Sequence, residues 1–591
     1  MRSMTHAFHS VLFFPFSSRF QLRFLTTHDR RIRVLHGSLM RGCCSMHLSS
    51  AFSSRPPHVT SSLPQLTSKP FVRSLFSSSS SSLLSFEVVS TEVSSKPSAA
   101  MSVWSETTDN DSERSLYPNS ELLPSSAYVH IPFCRRRCFY CDFPIVAVGE
   151  RTEGTSTHMD ARMANYVDLL CREIRVTASA NPSRPLKTLF FGGGTPSLLP
   201  IPLLLRIIQA LDSSFGIAAG AEISIEMDPG TFDVHSLRQT LEGGVTRVSM
   251  GVQSFSSELL KACGRAHGLN EVYAAIDAIK GSGLKNWSLD LISSLPHQTL
   301  FQWEHSLQEA VAAGPSHISI YDLQIEEGTL FNRWYKAGES PLPSDDVSAA
   351  FYTTASSILT NAGFEHYEIS NYTKQGLQCK HNLVYWNNLP YFAFGLGSTS
   401  YVDHKRFARP RKFNLYADFV ESFETSGGQI DFPESSLEER ILDTVMLSLR
   451  LATGLNLQQF TQQFGTTVTA IVCKALFPFA SSGYVAVLNA NKQPISAEIL
   501  LDHSLPLAYT GGASLARSDS EVAGFVHLTD PKGFLLSNEV ISSIFSALPS
   551  GSSYLISSEL LQRYVVLGCK RDILVRTSFI LTLSSSLDVS P

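Results

Sequence analysis

Three cysteines stand within eight residues of one another, at Cys134, Cys138 and Cys141. Their C-x3-C-x2-C spacing lies in the segment AYVHIPFCRRRCFYCDF at 127–143, while the other seven cysteines are scattered along the chain. Three thiolates on one tight loop can hold three irons of a [4Fe–4S] cluster, and the fourth iron would stay open to another ligand. A structural zinc site is the alternative, with His130 on the preceding predicted strand as the only nearby fourth ligand.

A glycine run follows the cysteines by about 50 residues, in FFGGGTPS at 190–197. Glycines at the end of a strand let the backbone approach a ligand closely. Further polar residues stand near the ends of later predicted strands: Glu226 in ISIEMDPG, Gln253 in SMGVQSF, Arg265 in CGRAHG and Asp290 in SLDLISSLP. Each residue alone could be an ordinary strand-end side chain or half of a salt bridge.

The elements that must position these residues are short β-rich runs that alternate with helical patterns from residue 126 onward. The predicted strands are 127–132, 188–191, 222–227, 247–252, 286–292 and 317–323, and examples of the helices between them are 163–176, 202–213 and 270–281. Such alternation predicts an α/β fold of parallel βαβ units, closed as an open or partial barrel of the TIM type. Barrels of this type place their chemistry at the carboxyl ends of the strands.

Together these motifs resemble the radical S-adenosylmethionine (SAM) superfamily, and residues Tyr128, His130, Pro132 and Phe133 resemble the branch that contains oxygen-independent coproporphyrinogen III dehydrogenase and HemW. The resemblance covers about 126–470 and resumes near 524–548. It implies a partial (β/α)6 barrel with a small C-terminal helical or winged domain. It also implies that the three cysteines hold a [4Fe–4S] cluster. The residues implied to bind SAM are Tyr128, Gly193, Gly194, Thr195, Glu226, Gln253, Arg265 and Asp290.

Two positions depart from the pattern of the superfamily: Asp228 stands where Asn is usual, and Ser294 stands where relatives carry Gly. In the superfamily, SAM binds the open iron and an electron from the cluster cleaves it to a 5′-deoxyadenosyl radical. The resemblance therefore also implies a low-potential electron donor such as a ferredoxin or flavodoxin.

Two features favour the HemW branch over the dehydrogenase. The dehydrogenase branch has a further cysteine in a C-x2-C-x-C pattern, whereas this chain continues Cys141-Asp142-Phe143. In addition, CKHNLVYW at 379–386 contains H-N-x-x-Y-W, a motif of the HemW branch that is associated with haem. His381 could supply an imidazole to haem iron, with Cys379 as another possible ligand. Alternatively, His381 caps a helix while Tyr385 and Trp386 pack in a core.

Composition divides the 591 residues into unlike parts. The net charge is −5, yet residues 1–100 hold nine Arg and two Lys against three acidic residues, so the remainder is distinctly acidic. An acidic body argues against nucleic acid as the main partner, and no apolar run is long enough to predict a transmembrane helix. The Arg-rich, Ser-rich head is typical of a transit peptide for a mitochondrion or a plastid, although a plain disordered tail is the alternative.

The predicted organisation has five parts. Residues 1–118 form the transit peptide and disordered region, 119–345 the barrel, 346–432 an extension with the haem-associated segment, 433–548 the C-terminal domain, and 549–591 an unassigned tail. Residues 485–522 are expected to be a loop insertion. The favoured function is a haem chaperone that binds haem, the cluster and SAM and delivers haem to acceptor proteins such as respiratory cytochromes. The alternatives are coproporphyrinogen III dehydrogenase and another radical SAM enzyme.

Overall fold

One large sheet carries the cysteine loop and the glycine run in the computed structural model, which describes residues 123–149, 161–429, 433–501 and 522–548. The described residues belong to one compact unit. The predicted transit peptide and the tail after 548 lie outside the described residues. No helix in the described part of the chain is long and apolar enough to cross a membrane.

The strands, in chain order, are β1 (Ser126–Ile131), β2 (Phe133–Cys134), β3 (Val146–Ala147), β4 (Leu186–Gly193), β5 (Ile217–Met227), β6 (Arg247–Gln253), β7 (Trp287–Ser293), β8 (His317–Asp322), β9 (Glu365–Glu368), β10 (Asn371–Thr373), β11 (Phe392–Phe394), β12 (Thr399–Val402), β13 (Lys405–Ala408), β14 (Leu455–Asn456), β15 (Val485–Asn489) and β16 (Ala523–Leu528).

The helices are α1 (Ala161–Ala180), α2 (Ile201–Phe215), α3 (Val234–Glu242), α4 (Ser257–Ala262), α5 (Leu269–Ser282), α6 (Leu300–Ala313), α7 (Leu330–Trp334), α8 (Asp345–Asn361), α9 (Lys380–Trp386), α10 (Phe413–Thr425), α11 (Leu437–Leu449), α12 (Leu457–Phe464), α13 (Thr466–Ser481), α14 (Lys532–Leu535) and α15 (Ser537–Ala547). Two short 3-10 helices add Pro196–Leu198 and Ala497–Leu501.

The six predicted strands form the centre of a nine-stranded open sheet in the order β11-β1-β4-β5-β6-β7-β8-β10-β9. Strands β1 and β4 to β8 are parallel, and helices connect most of them, which confirms the predicted partial (β/α)6 barrel. The predicted extension contributes to the same sheet, because β11 pairs parallel with β1 and β10 pairs antiparallel with β8.

The two faces of the sheet differ in chemistry. One set of alternate residues, such as Val129, Leu189 and Val248, belongs to the large apolar core that also includes residues of α1, α2 and α6. Since side chains alternate along a strand, the other set points to the inner face of the barrel. That inner set is strongly polar and includes Glu226, Ser249 and Asp290.

The C-terminal domain has its own apolar core under a three-stranded sheet in the order β14-β16-β15. Helix α11 supplies Leu442, Val445 and Met446 to this core, so Met446 is core packing as its helical spacing suggests. The prediction of a loop at 485–522 is wrong for its first residues, because these form β15, which pairs with β16. Alternate burial of Val485 and Val487 explains the strand, and this short period-two signal is easily missed.

Candidate functional site

The cysteine loop leaves the sheet directly after β1. Cys134 ends β2, and Cys138 and Cys141 lie in the turn before β3, which pairs with β2. All three cysteines are half-buried and none is in a disulfide. The loop is fixed at its centre, because the Phe139 amide donates to the Cys263 carbonyl over 3.0 Å. A Cβ on Gly264 would lie 2.7 Å from the Phe139 ring, so the close contact there requires glycine.

Hydrogen-bond donors from two other elements face the thiols. The Thr195 hydroxyl donates to Cys134 Sγ over 3.5 Å, and Arg265 Nη1 donates to Cys138 Sγ over 3.3 Å. Burial raises the pKa of Cys134 and of Cys141 to about 12, so the bare thiols are protonated at neutral pH. A bound metal deprotonates such thiols, and donors aimed at sulfur stabilise the resulting thiolates.

The donor set fits an iron–sulfur cluster, because three thiols lie on one loop and polar donors face two of them. Within the described segments, no three His, Cys, Asp or Glu side chains converge as the ligands of one metal ion do. In a [4Fe–4S] cluster each of the three thiolates would bind a different iron. His130 is not placed as a fourth ligand, because its Nε2 is 3.0 Å from the Pro144 carbonyl and its Nδ1 is 3.2 Å from the Tyr128 hydroxyl.

The glycine run lies against the segment that carries the cysteines. The amides of Gly194 and Thr195 donate to the carbonyls of Ile131 and Phe133 over 2.8 and 2.7 Å. A Cβ on Gly194 would lie 2.7 Å from the backbone of Pro132, so only glycine permits this contact. The Gly193 amide donates to Glu226 Oε2 over 2.9 Å. The run therefore joins the cysteine loop to the carboxylate at the end of β5.

Two carboxyl groups of the inner face lie near each other, with Glu226 next to the end of β5 and Asp290 at the middle of β7. Burial, and then the neighbouring Asp290, raise the pKa of Glu226 to about 8. Burial also raises the pKa of Asp290, which accepts hydrogen bonds of 3.1 Å from Ser249 and Ser288. Such acceptors are suited to a cationic group, and the ammonium and sulfonium of SAM are cationic. Tyr128 lines the same interior from β1, with its ring stacked on Phe190 at 6.2 Å.

Gln253 lies at the end of β6 as predicted, whereas Arg265 follows α4 and not a strand. Gln253 ends β6 with a positive φ of 71°, and its buried Oε1 has no hydrogen-bond partner in the described part of the chain. An orphan buried acceptor at a strand end is suited to a ligand donor. Arg265 is ion-paired with Asp228, and its Nη2 donates to the Gly251 carbonyl over 2.9 Å. Hydrogen bonds thus connect the cysteine loop with the glycine run, Glu226 and Arg265, while Tyr128, Gln253 and Asp290 lie on strands β1, β6 and β7 of the same sheet.

His381 lies elsewhere in the barrel. It is fully buried on α9, with Nδ1 at 2.7 Å from the Thr188 hydroxyl and Nε2 at 2.7 Å from the Tyr385 hydroxyl. Thr188 precedes Gly193 by five residues on β4, which corresponds to about 16 Å along the strand. Helix α9 therefore fills the amino end of the barrel, opposite the cysteine loop. Because both ring nitrogens are engaged, His381 does not fit a haem ligand in this arrangement.

The polar side chains that hold α9 in place were not predicted from the sequence. Glu222 Oε1 accepts from the His381 amide over 3.3 Å and from the Cys379 thiol over 3.7 Å. Thr188 and Glu222 are direct neighbours across the β4–β5 ladder. Arg247, also buried, lies near Cys379 and Glu222. Polar residues recur at alternate positions of these strands, which indicates a polar inner face. The helix that they contact lies about 160 residues further along the chain, so the sequence does not identify it.

The comparisons with known proteins agree with this geometry. Residues 128–310 match the model of the Radical SAM superfamily, and 435–492 match that of the HemN C-terminal domain. A Synechocystis protein named Heme chaperone HemW is 43% identical over 427 residues, which cover 72% of this chain and 98% of that protein. A protein of the same name from Bacillus subtilis is 32% identical over 361 residues, or 61% and 92% of the two chains.

The fold has a solved counterpart in the coproporphyrinogen III oxidase HemN of Escherichia coli, described as a radical SAM enzyme. The TM-score is 0.57 at 21% identity, over 73% of this chain and 92% of that one. This likeness shows the fold alone, whereas the match to nearly the whole Synechocystis protein shows the family. The chain belongs to the HemW family of the radical SAM superfamily, whose members are expected to hold a [4Fe–4S] cluster and SAM.

Proposed function

We propose that this chain is a haem chaperone, which binds haem together with a [4Fe–4S] cluster and SAM and delivers the haem to acceptor proteins such as respiratory cytochromes. The observation that carries the proposal is the 43% identity to a Heme chaperone HemW over 98% of that protein's length. In this function the cluster and SAM regulate haem transfer instead of oxidising a substrate.

The cysteine loop supports the chaperone over coproporphyrinogen III dehydrogenase. Position 143, where the dehydrogenase pattern would place a further cysteine, is Phe143. Asp142 before it is held by Arg411, whose guanidinium lies 3.6 Å from the Asp142 carboxylate and also donates to its carbonyl. Arg411 therefore fixes the loop at Asp142, and position 143 supplies no thiol.

Haem binding is proposed for the chain without assigning the iron ligand to His381. That imidazole has no free nitrogen, and burial lowers its pKa to about 3, so it is neutral and enclosed. Ligation through His381 would require α9 to leave the barrel and would break contacts with Thr188 and Tyr385. Haem titration with variants of the exposed and half-buried histidines is the direct way to find the ligand.

One experiment separates the two functions. The full chain, reconstituted anaerobically with iron and sulfide, is incubated with SAM, a reductant and either haem plus an apo-cytochrome or coproporphyrinogen III. We expect haem to appear in the cytochrome and coproporphyrinogen III to remain unchanged. Formation of protoporphyrinogen would contradict the chaperone function, and a Cys138→Ser variant in both assays shows which activity depends on the cluster.

We also propose that residues 1–118 direct the chain to a mitochondrion or a plastid, where a low-potential donor supplies electrons. Their Arg-rich, Ser-rich and acid-poor composition supports this. Fusion of residues 1–118 to a fluorescent protein tests it, with residues 119–548 fused in the same way as the control. Diffuse fluorescence of the first fusion throughout the cytosol would contradict the proposal.

A further inference from the structure

A positively charged side chain faces one of the cluster cysteines from outside the cysteine loop. Arg265 follows α4, its side chain is only 10% exposed, and its Nη1 lies 3.3 Å from Cys138 Sγ and 3.2 Å from the Tyr140 hydroxyl. A guanidinium keeps its proton in proteins, so a full positive charge faces the sulfur.

A carboxylate holds this guanidinium from the other side. Asp228 Oδ1 is ion-paired with Arg265 Nη2 and lies 3.4 Å from His267 Nδ1, and Oδ2 lies 3.7 Å from Arg135 Nη2. Burial alone would raise the pKa of Asp228, but the Arg265 guanidinium and the His267 contact hold it below its ordinary value. Asp228 is therefore ionised, and its negative charge partly offsets the charge of Arg265.

We propose that Asp228 is a positioning residue that holds Arg265 against Cys138 and, by offsetting its charge, lowers the reduction potential of the cluster. Reduction adds one electron from an external donor and neither forms nor breaks a bond, so only the charge of the cluster changes. Hydrogen bonds to the sulfurs and nearby positive charge favour the reduced form, whereas nearby negative charge opposes it. Asp228 and Arg265 together therefore set the local charge next to Cys138.

The test is the midpoint potential of the cluster in Asp228→Asn, measured by titration with dithionite and followed by electron paramagnetic resonance. Asparagine keeps the shape and an oxygen that can accept from Arg265, but it removes the negative charge. We expect the ratio of reduced to oxidised cluster at a fixed potential to rise about tenfold, a positive shift of about 59 mV for one electron. Arg265→Gln should shift the potential in the opposite direction, and Arg265→Lys should shift it less.

The proteins are the full chain, reconstituted anaerobically without SAM or haem, and compared at equal iron and sulfide content. Asp418→Asn is the matched control, because it removes the same charge from an exposed position on α10 and should leave the potential unchanged. An unchanged or lowered potential in Asp228→Asn overturns the proposal. If that variant fails to hold a cluster, equal shifts in Arg265→Gln and Arg265→Lys overturn it instead. Since no haem is present, these outcomes are independent of the proposed chaperone function.

Discussion

Replacement of His381 by alanine separates a structural role of α9 from a role in haem ligation. The variant removes a fully buried imidazole and leaves the hydroxyls of Thr188 and Tyr385 without their 2.7 Å partners. Each buried polar group left unsatisfied costs about 1–3 kcal/mol, and the lost packing against Phe190 adds to this. We expect the free energy of unfolding to fall by about 3–5 kcal/mol, seen as an apparent Tm lower by about 4–6 °C.

The pH dependence of this effect has a definite sign. Burial, and then Arg247, lower the pKa of His381 to about 3, compared with an ordinary value near 6.5. Between these values the unfolded chain binds a proton that the folded chain cannot, so wild-type stability falls as the pH falls below 6.5. The His381→Ala variant lacks this pH-dependent contribution to stability, because it has no imidazole at this position to bind the proton. The difference in stability between wild type and variant should therefore shrink by about 2 kcal/mol between pH 7 and pH 5.

Thermal unfolding of the metal-free chain at several pH values provides the measurement. His305→Ala is the control, since His305 is exposed on α6 and should change little. Tyr385→Phe should lower the free energy of unfolding by less than His381→Ala does, because it removes one hydroxyl and leaves only one ring nitrogen unpaired. Haem titration of the folded His381→Ala variant should give the wild-type Soret band. A normal Tm together with a lost Soret shift would refute the structural role and restore His381 as a haem ligand.

Three further predictions concern the opposite end of the barrel. Cys138→Ser should abolish the broad iron–sulfur absorbance of the reconstituted chain, with Cys473→Ser in the C-terminal core as the control that retains it. Gly194→Ala should displace the cysteine loop, because its Cβ would lie 2.7 Å from the Pro132 backbone, so reduced iron content is expected; full content would contradict the fit. Glu226 has a pKa raised to about 8, so the folded chain retains a proton that the unfolded chain loses above about pH 4.5. The Tm of the metal-free wild type should therefore fall between pH 6 and pH 9 relative to Glu226→Gln, and parallel Tm curves would refute the shift.

The barrel and the cysteine loop could be predicted from the sequence because their signals are local. Each parallel strand is a short apolar run between helices, and the three cysteines lie within eight residues. The bounds of β6 and β8 differ from the prediction by a single residue. The residues assigned to SAM were found through the resemblance, and their convergence follows from the common direction of the strands.

The role of α9 could not be predicted because its contacts are distant in sequence. His381 and Thr188 are 193 residues apart, and no local pattern indicates that a histidine will meet a strand-borne hydroxyl inside a barrel. The helix also divides its side chains between two cores. Tyr385 packs with Tyr128 and Phe190 inside the barrel, whereas Trp386 packs in the core of the C-terminal domain. The packing of Tyr385 and Trp386 in cores agrees with one part of the alternative interpretation, but His381 does not cap a helix, because its ring contacts Thr188 and Tyr385 instead.

This division places the polar and aromatic side chains of the short motif in contacts with the rest of the chain. A buried imidazole is tolerated only when both nitrogens have partners, and here Thr188 and Tyr385 supply them. The aromatic ring of Phe190 stacks on His381 on one side and on Tyr128 on the other, at 5.3 and 6.2 Å between ring centroids. Tyr128 in turn contacts His130, next to the glycine run. One continuous series of ring contacts thus connects α9 at the amino end of the barrel with Tyr128 and His130 beside the glycine run.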